Sequence, residues 1–278
     1  MPADCCHSAV KILPVRRVRV SGEELVDDAV SVESPLQIQL QSTASLGPPL
    51  NVATTMRTPG NDVSLAAGYL FTEDIIRRRA DVIDIEQPGP DLVRVVLNGS
   101  VPIDTRRFAR QSYVSSSCGA CGKRDIEQLR IHHATWPRPA AFDIDPAMVC
   151  ALPGKLRAAQ QEFAQTGGIH ASAYFDVSGE LLDVREDVGR HNALDKLLGA
   201  RFLADTLPLP PGGLFLSGRV SFELVQKAAV AGIGLIAAVG APSSLAVELA
   251  SEWGITLIGF IRDGRYNLYA GFGTIRAG

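Results

Sequence analysis

Leu214-Phe215-Leu216-Ser217-Gly218-Arg219 is the stretch whose reading decides the fold. Three apolar residues, too few for a helix, run into a small polar turn, and an amphipathic helical pattern follows over about residues 220–231. The same succession returns at once. A strand at 235–239 passes through Ala241-Pro242-Ser243-Ser244 into a helix ending near Trp253. A third strand, 256–260, turns at Arg262-Asp263-Gly264-Arg265 into a fourth at 266–269. Short apolar strands alternating with amphipathic helices predict a parallel-leaning sheet covered by helices.

Working back, the spacing predicts a helix at 189–203, strands at 169–176 and 180–185, and a helical pattern from about 145 to 165 interrupted at Pro153. Thr166-Gly167-Gly168 supplies its terminating glycine. Residues 134–145, with Pro137 and Pro139, are aperiodic and read as a linker. Ahead of it, strands are expected at 15–20, 31–40 and 52–56, then a helix to about Phe71 capped by Asn61 or Asp62. A hairpin at 82–86 and 92–97 turns at Gln87-Pro88-Gly89-Pro90-Asp91, and a further helical pattern covers 123–130. The fold class is therefore α+β for residues 1–135 and α/β for residues 136–278, a smaller and a larger domain.

The chain has 278 residues, 46% hydrophobic and 21% charged, which is enough for sizeable cores. A net charge of −3 argues against a nucleic-acid or membrane-surface partner. The local basic runs Arg16-Arg17-Val18-Arg19 and Arg77-Arg78-Arg79 read as solvated faces. No secretory leader or membrane-length apolar run is apparent. Five cysteines, four of them in close pairs, fit a reducing cytoplasm better than a disulfide framework. Cys5, Cys6 and Cys150 read as incidental.

The chemistry-bearing stretch is Ser115-Ser116-Ser117-Cys118-Gly119-Ala120-Cys121-Gly122-Lys123. Two thiols two residues apart, among side chains too small to fill a core, allow several readings. A thioredoxin-like redox pair would want a buried apolar strand upstream, and Arg110-Gln111-Ser112-Tyr113 is not one. A zinc site could draw on His132 and His133, but adjacent histidines diverge. A zinc deaminase needs His-x-Glu, and none of the five histidines is followed that way. The remaining reading is a nucleophilic cysteine that carries sulfur as a persulfide, its thiolate favoured by Lys123, Arg124 and a helix N-terminus.

Two other groups stand out. Arg219, Ser243 and Ser244 fall where strands hand over to helices, positions that suit phosphate, although Ser243-Ser244 reads equally as a helix cap. Neither a Gly-x-x-x-x-Gly-Lys-Ser/Thr loop nor a Gly-x-Gly-x-x-Gly turn is present, so an ordinary nucleotide hydrolase or dehydrogenase is not expected. Arg262 and Arg265 place two guanidiniums at a strand end, able to grip pyrophosphate or guanine. In Arg185-Glu186-Asp187-Val188-Gly189-Arg190-His191-Asn192-Ala193-Leu194-Asp195-Lys196, His191 and Asp195 share a helix face, so the acid can orient the imidazole. His170 is placed to approach them. A capping network of ion pairs is the alternative.

Six stretches in order resemble the FdhD family, the sulfur carrier proteins of formate dehydrogenase maturation. They are Arg57-Thr58-Pro59-Gly60 with Leu65-Ala66-Ala67-Gly68-Tyr69-Leu70-Phe71-Thr72-Glu73, the Cys118–Cys121 stretch, Thr166-Gly167-Gly168-Ile169-His170-Ala171, Arg185 to Ala193, Ser217-Gly218-Arg219-Val220-Ser221-Phe222-Glu223, and Ala241-Pro242-Ser243-Ser244-Leu245-Ala246. The resemblance implies a cytoplasmic, dimeric protein that takes sulfur from a cysteine desulfurase. It would pass that sulfur to the molybdenum of a bis(molybdopterin guanine dinucleotide) cofactor, bound as substrate, before the cofactor enters formate dehydrogenase. It implies that Cys118 bears the persulfide, that Cys121 is its loop partner, and that Phe260, Ile261, Arg262, Asp263, Gly264 and Arg265 contact the cofactor. It also implies a larger domain similar to cytidine deaminases, without zinc.

Overall fold

The computed structural model describes residues 8–45, 47–103 and 144–271. Three sheets organise them. Strands β1 (Val10–Arg19) and β2 (Gly22–Ser31) form an antiparallel ribbon. Strands β3 (Ser34–Ser42), β4 (Leu50–Arg57), β5 (Val82–Gly89) and β6 (Leu92–Leu97) form a four-stranded sheet in the order β4-β3-β6-β5. The third sheet has β7 (His170–Asp176), β8 (Leu181–Asp187), β9 (Gly212–Leu216), β10 (Leu235–Ala238), β11 (Thr256–Arg262) and β12 (Arg265–Ala270). Its order is β12-β11-β10-β9-β7-β8.

The expected parallel sheet is the centre of this third one. β9, β10 and β11 run parallel, with Ile236 opposite Leu214, Ala238 opposite Leu216 and Ala237 opposite Ile258. Each outer pairing is antiparallel. Both faces are apolar because helices cover both. Helix α2 (Pro146–Ala159) lays Val149, Leu152 and Leu156 against Phe215, Leu235, Ala237 and Ile258. On the other face α4 (Arg190–Leu203), α5 (Phe222–Val230) and α6 (Ser244–Glu252) cover Leu214, Leu216, Ile236 and Ala238. Alternate strand residues therefore enter different cores, and each fully buried Leu or Ile contributes about 1.5–3 kcal/mol.

Helix α1 (Asp62–Thr72) joins the two larger sheets. Leu65, Ala66 and Leu70 belong to the same apolar cluster as Leu36, Ile38, Val93 and Val95 from the four-stranded sheet and Leu194, Leu197 and Leu198 from α4. The helices meet at backbone distance. A Cβ on Gly68 would lie 1.9 Å from the Asp195 carbonyl oxygen, and one on Gly199 would lie 1.8 Å from that of Ser64.

The structure departs from the sequence expectations locally. β2 was not expected; in Gly22-Glu23-Glu24-Leu25-Val26-Asp27-Asp28 six of seven residues are exposed, so no alternation marks it. Pro153 does not interrupt α2, whose buried positions on either side hold it continuous; the break falls at Gln160, after which α3 (Gln161–Thr166) ends on Gly167 at φ 66°. Asn61 occupies the cap position of α1 in a left-handed conformation, but its side chain caps nothing and instead accepts from Arg185 at 3.2 Å. The basic runs are largely solvated, as expected, and also form surface ion pairs that were not expected: Arg19 with Glu24 at 2.8 Å, Arg77 with Asp74 at 2.7 Å.

Candidate functional site at the carboxyl ends of the parallel strands

Three parallel strands in register must end together, and their exit loops are strapped to one another. The Gly240 N–H donates to the Gly218 carbonyl at 3.3 Å, and the Phe260 N–H donates to the Gly240 carbonyl at 3.2 Å. The Val220 N–H donates to Ala241 at 3.0 Å and the Ser243 N–H to Val220 at 2.9 Å. Gly240 is required by that approach, since a Cβ there would sit 2.7 Å from the Arg219 nitrogen and the Gly218 carbonyl. Arg219, Ser243 and Ser244 are exposed on this edge. Ser243 is the N-cap of α6, its Oγ accepting from the Ala246 N–H at 3.3 Å, so the plain capping role is the one observed.

The turn between β11 and β12 extends the same edge. Phe260 and Asp263 hold φ of 54° and 52°, uncommon for residues with a Cβ, and the ladder is irregular between Gly259 and Arg262. Arg262, Asp263, Gly264 and Arg265 are exposed, and the Arg262 guanidinium lies 5.5 Å over the Phe260 ring. Ile261 faces inward and packs in the core under α2, which anchors the turn.

Beside this edge lies His191, buried in the first turn of α4. Its Nε2 is 3.0 Å from Glu223 Oε2 and 3.1 Å from Ser221 Oγ, both at the start of α5. The expected orienting acid was Asp195, four residues on. The two do share a face, but each pairs across to α5 instead. Asp195 accepts from the Lys227 ammonium at 2.9 Å through both oxygens and from Thr72 at 2.9 Å. Burial works against the Lys227 ammonium, but the Asp195 carboxylate more than offsets it and holds it above its ordinary range. Two rungs, His191–Glu223 and Asp195–Lys227, thus fasten α4 to α5. His170 stands at the start of β7, its ring close enough to Gly218 that a Cβ there would be 3.1 Å from Nδ1. Burial first, then the charge of Arg190, push the His170 imidazole below its usual range.

A second polar group lies beneath. Asp187, fully buried, accepts from the Thr58 N–H at 3.1 Å, the Gly189 N–H at 2.8 Å, Asn192 at 3.1 Å and the Lys196 ammonium at 2.8 Å. Burial pushes its carboxyl up, against the pull of Lys196 and these donors. Lys196 also donates to the Thr58 carbonyl at 2.8 Å. Arg57, 1% exposed, forks onto Asp62 at 2.9 and 3.0 Å and donates to the Pro90 carbonyl at 3.0 Å. The charged run 185–196 is therefore largely a buried joint to residues 55–62, the capping-network alternative, while His191 at its edge is not consumed by it. Glu186 caps α3, accepting from the Glu162 and Phe163 N–H groups at 2.9 and 3.0 Å.

Glu223 and Ser221 were not singled out for this chemistry. They lie about thirty residues from His191, and only the α4–α5 packing brings them together. Cys118, Cys121, His132, His133 and the helical pattern at 123–130 lie outside the described residues. Among the described residues no group of three or more His, Cys, Asp or Glu side chains is placed to hold a metal ion, and no helix is long and apolar enough to cross a membrane.

Fold and edge together define a mixed α/β protein whose parallel strands end on a loop-lined edge flanked by imidazole and guanidinium groups, the usual location for a ligand in such sheets. The chain belongs to the FdhD/NarQ family, whose sequence profile matches residues 31–276. It is 44% identical over 268 residues to the sulfur carrier protein FdhD of Streptomyces coelicolor, covering 92% of each chain. It is 41% identical to that of Mycobacterium tuberculosis, covering 91% of this chain and 95% of the other, and 38% identical to that of Sulfolobus acidocaldarius, covering 92% and 97%. Its fold matches the crystal structure of a candidate formate dehydrogenase accessory protein from Desulfotalea psychrophila with a TM-score of 0.74, covering 97% of this chain and all of the other at 23% identity.

Proposed function

We propose that this protein is a sulfur carrier that serves the maturation of formate dehydrogenase. The observation that carries the reading is the match, along nearly the whole chain, to relatives named as sulfur carrier proteins, in a sequence whose Cys118-Gly119-Ala120-Cys121 stretch suits a nucleophilic thiol. The Cys118 thiolate attacks the outer sulfur of a cysteine desulfurase persulfide. A new sulfur–sulfur bond forms on Cys118 as the desulfurase bond breaks and its cysteine leaves as a thiolate. Cys121, three positions on, is the partner thiol in this relay. The sulfur then passes to the molybdenum of a bis(molybdopterin guanine dinucleotide) cofactor, the substrate that the strand-end edge receives, with Arg219, Arg262 and Arg265 offering charge to its phosphates. The Cys121 thiolate attacks the Cys118 sulfur, the bond to the outer sulfur breaks, and that sulfur leaves as sulfide to replace an oxygen ligand, which departs as water; the Cys118–Cys121 disulfide that forms supplies the two electrons.

The family resemblance supports a cytoplasmic setting, a homodimer, and a kinship of the six-stranded sheet and its helices with the cytidine deaminase fold. The test is intact mass after incubation with a cysteine desulfurase and cysteine. One or more added sulfur atoms are expected, removable by dithiothreitol and absent in Cys118→Ala. An adduct that persists in Cys118→Ala and disappears in Cys121→Ala moves the role to Cys121; no adduct on the unaltered protein rejects the reading.

A further inference from the structure

His191 is more than nine-tenths buried, yet its Nδ1 has no hydrogen-bond partner among the described residues. Glu223 is as deeply buried, and its Oε1 is likewise without a partner there. A buried polar atom left dry and unmatched is costly, and two of them side by side ask for a partner beyond the described residues, for which a bound ligand is the candidate. The remaining contacts say which kind. A carboxylate only accepts, so the 3.0 Å contact with Glu223 puts the proton on Nε2, and in the neutral ring the lone pair falls on Nδ1. Both orphaned atoms are then acceptors, and the missing partner is an N–H or O–H donor.

The location narrows this further. Ser221, the other neighbour of Nε2, closely follows Arg219 in the strand-end loop, so His191 borders the edge already described. Glu223 sits in the first turn of α5 and already places negative charge at the positive end of that helix. A phosphate arriving there would meet a carboxylate. The first turn of α6 carries no acidic residue, and the two guanidiniums of the β11–β12 turn lie on that side of the edge.

We propose that His191 determines specificity for the nucleoside end of the ligand, its Nδ1 accepting a hydrogen bond from the base or ribose, with Glu223 as the positioning residue that fixes the ring. The phosphates lie along the edge toward Arg262 and Arg265. This rests on the cofactor reading above, with GDP as the probe.

Two measurements on the full chain test it. In a nitrogen-15 correlation spectrum of the labelled imidazoles, the His191 signals, assigned by their loss in His191→Asn, are expected in the Nε2–H form. Glu223→Gln, whose amide can either donate or accept, is expected to mix the two tautomers. In GDP titrations, His191→Asn, which puts a carbonyl oxygen near Nδ1, should retain affinity within a few fold. His191→Gln, which mimics Nε2 instead, should weaken it about tenfold or more. Thermal unfolding establishes that each variant is folded. An Nδ1–H tautomer in the parent overturns the inference alone. So does equal weakening by the two variants while the parent binds GDP. Failure of the parent to bind GDP removes the cofactor reading and this inference with it. With 2′,3′-dideoxy-GDP, loss of the difference between the variants assigns the donor to the ribose, and persistence assigns it to the base.

Discussion

At the scale of single residues, the chain spends buried charge on joints. Asp187 and Lys196 are both essentially inaccessible, and each satisfies main-chain groups around Thr58 as well as the other. Lys196→Met removes one partner and strands the carboxylate. A loss of about 3–5 kcal/mol is expected in chemical denaturation, against less in the double variant Lys196→Met with Asp187→Leu. His170 gives a different signature. Its imidazole is held below its ordinary value near 6.5, so between the two values the unfolded chain binds the extra proton. Stability contributed by His170 is whole above about pH 6.5 and falls as pH drops through that value toward the folded one. His170→Asn should flatten the denaturation-midpoint profile across that window; an unchanged profile would assign the slope to other groups.

At the scale of elements, helix α1 and helix α4 cross where neither has a side chain. Gly68→Ala would drive a methyl into the Asp195 carbonyl, with backbone rather than a movable side chain in the way. Loss of about 3 kcal/mol or failure to accumulate as folded protein is expected, read by thermal unfolding. Ser243→Ala, by contrast, removes one cap from α6 and should cost only about 1 kcal/mol. Elements also differ in how plainly the sequence announces them. β9, β10 and β11 were legible because both faces of each strand are buried and small polar turns bracket them. The ribbon strand β2 was not, since Glu23, Glu24, Asp27 and Asp28 carry no alternation. Pro153 reads as a helix breaker in sequence, but the burial of Val149, Leu152 and Leu156 holds α2 together around it.

At the scale of the whole molecule, one apolar cluster runs from the four-stranded sheet through α1 and α4 to the six-stranded sheet. Whatever division into domains the two halves of the sequence suggest, heat should unfold these parts together. Near- and far-ultraviolet dichroism are expected to give one coincident midpoint, and two separated transitions would show that the shared cluster does not couple them. On the proposed cofactor reading, GDP should raise that midpoint in proportion to the logarithm of its concentration, by mass action, and a midpoint that GDP leaves unmoved counts against that reading. The candidate site was legible in part at this scale. Arg219, Ser243, Ser244 and the 260–265 turn lie on one edge because parallel strands in register end together, and that much follows from pattern. The pairing of His191 with Glu223, and of Asp195 with Lys227, did not, because it depends on how α5 docks against α4. No spacing along the chain encodes that.

The glycine crossing has a genetic consequence. Where side chains fill an interface, a harmful enlargement on one side is often repaired by a reduction on the other. Gly68 faces the carbonyl of Asp195 and Gly199 faces that of Ser64, so the opposing surface is main chain, which no codon change can shrink. Alleles altered at either glycine should therefore yield true revertants and general stabilisers, but no reciprocal suppressors across the crossing.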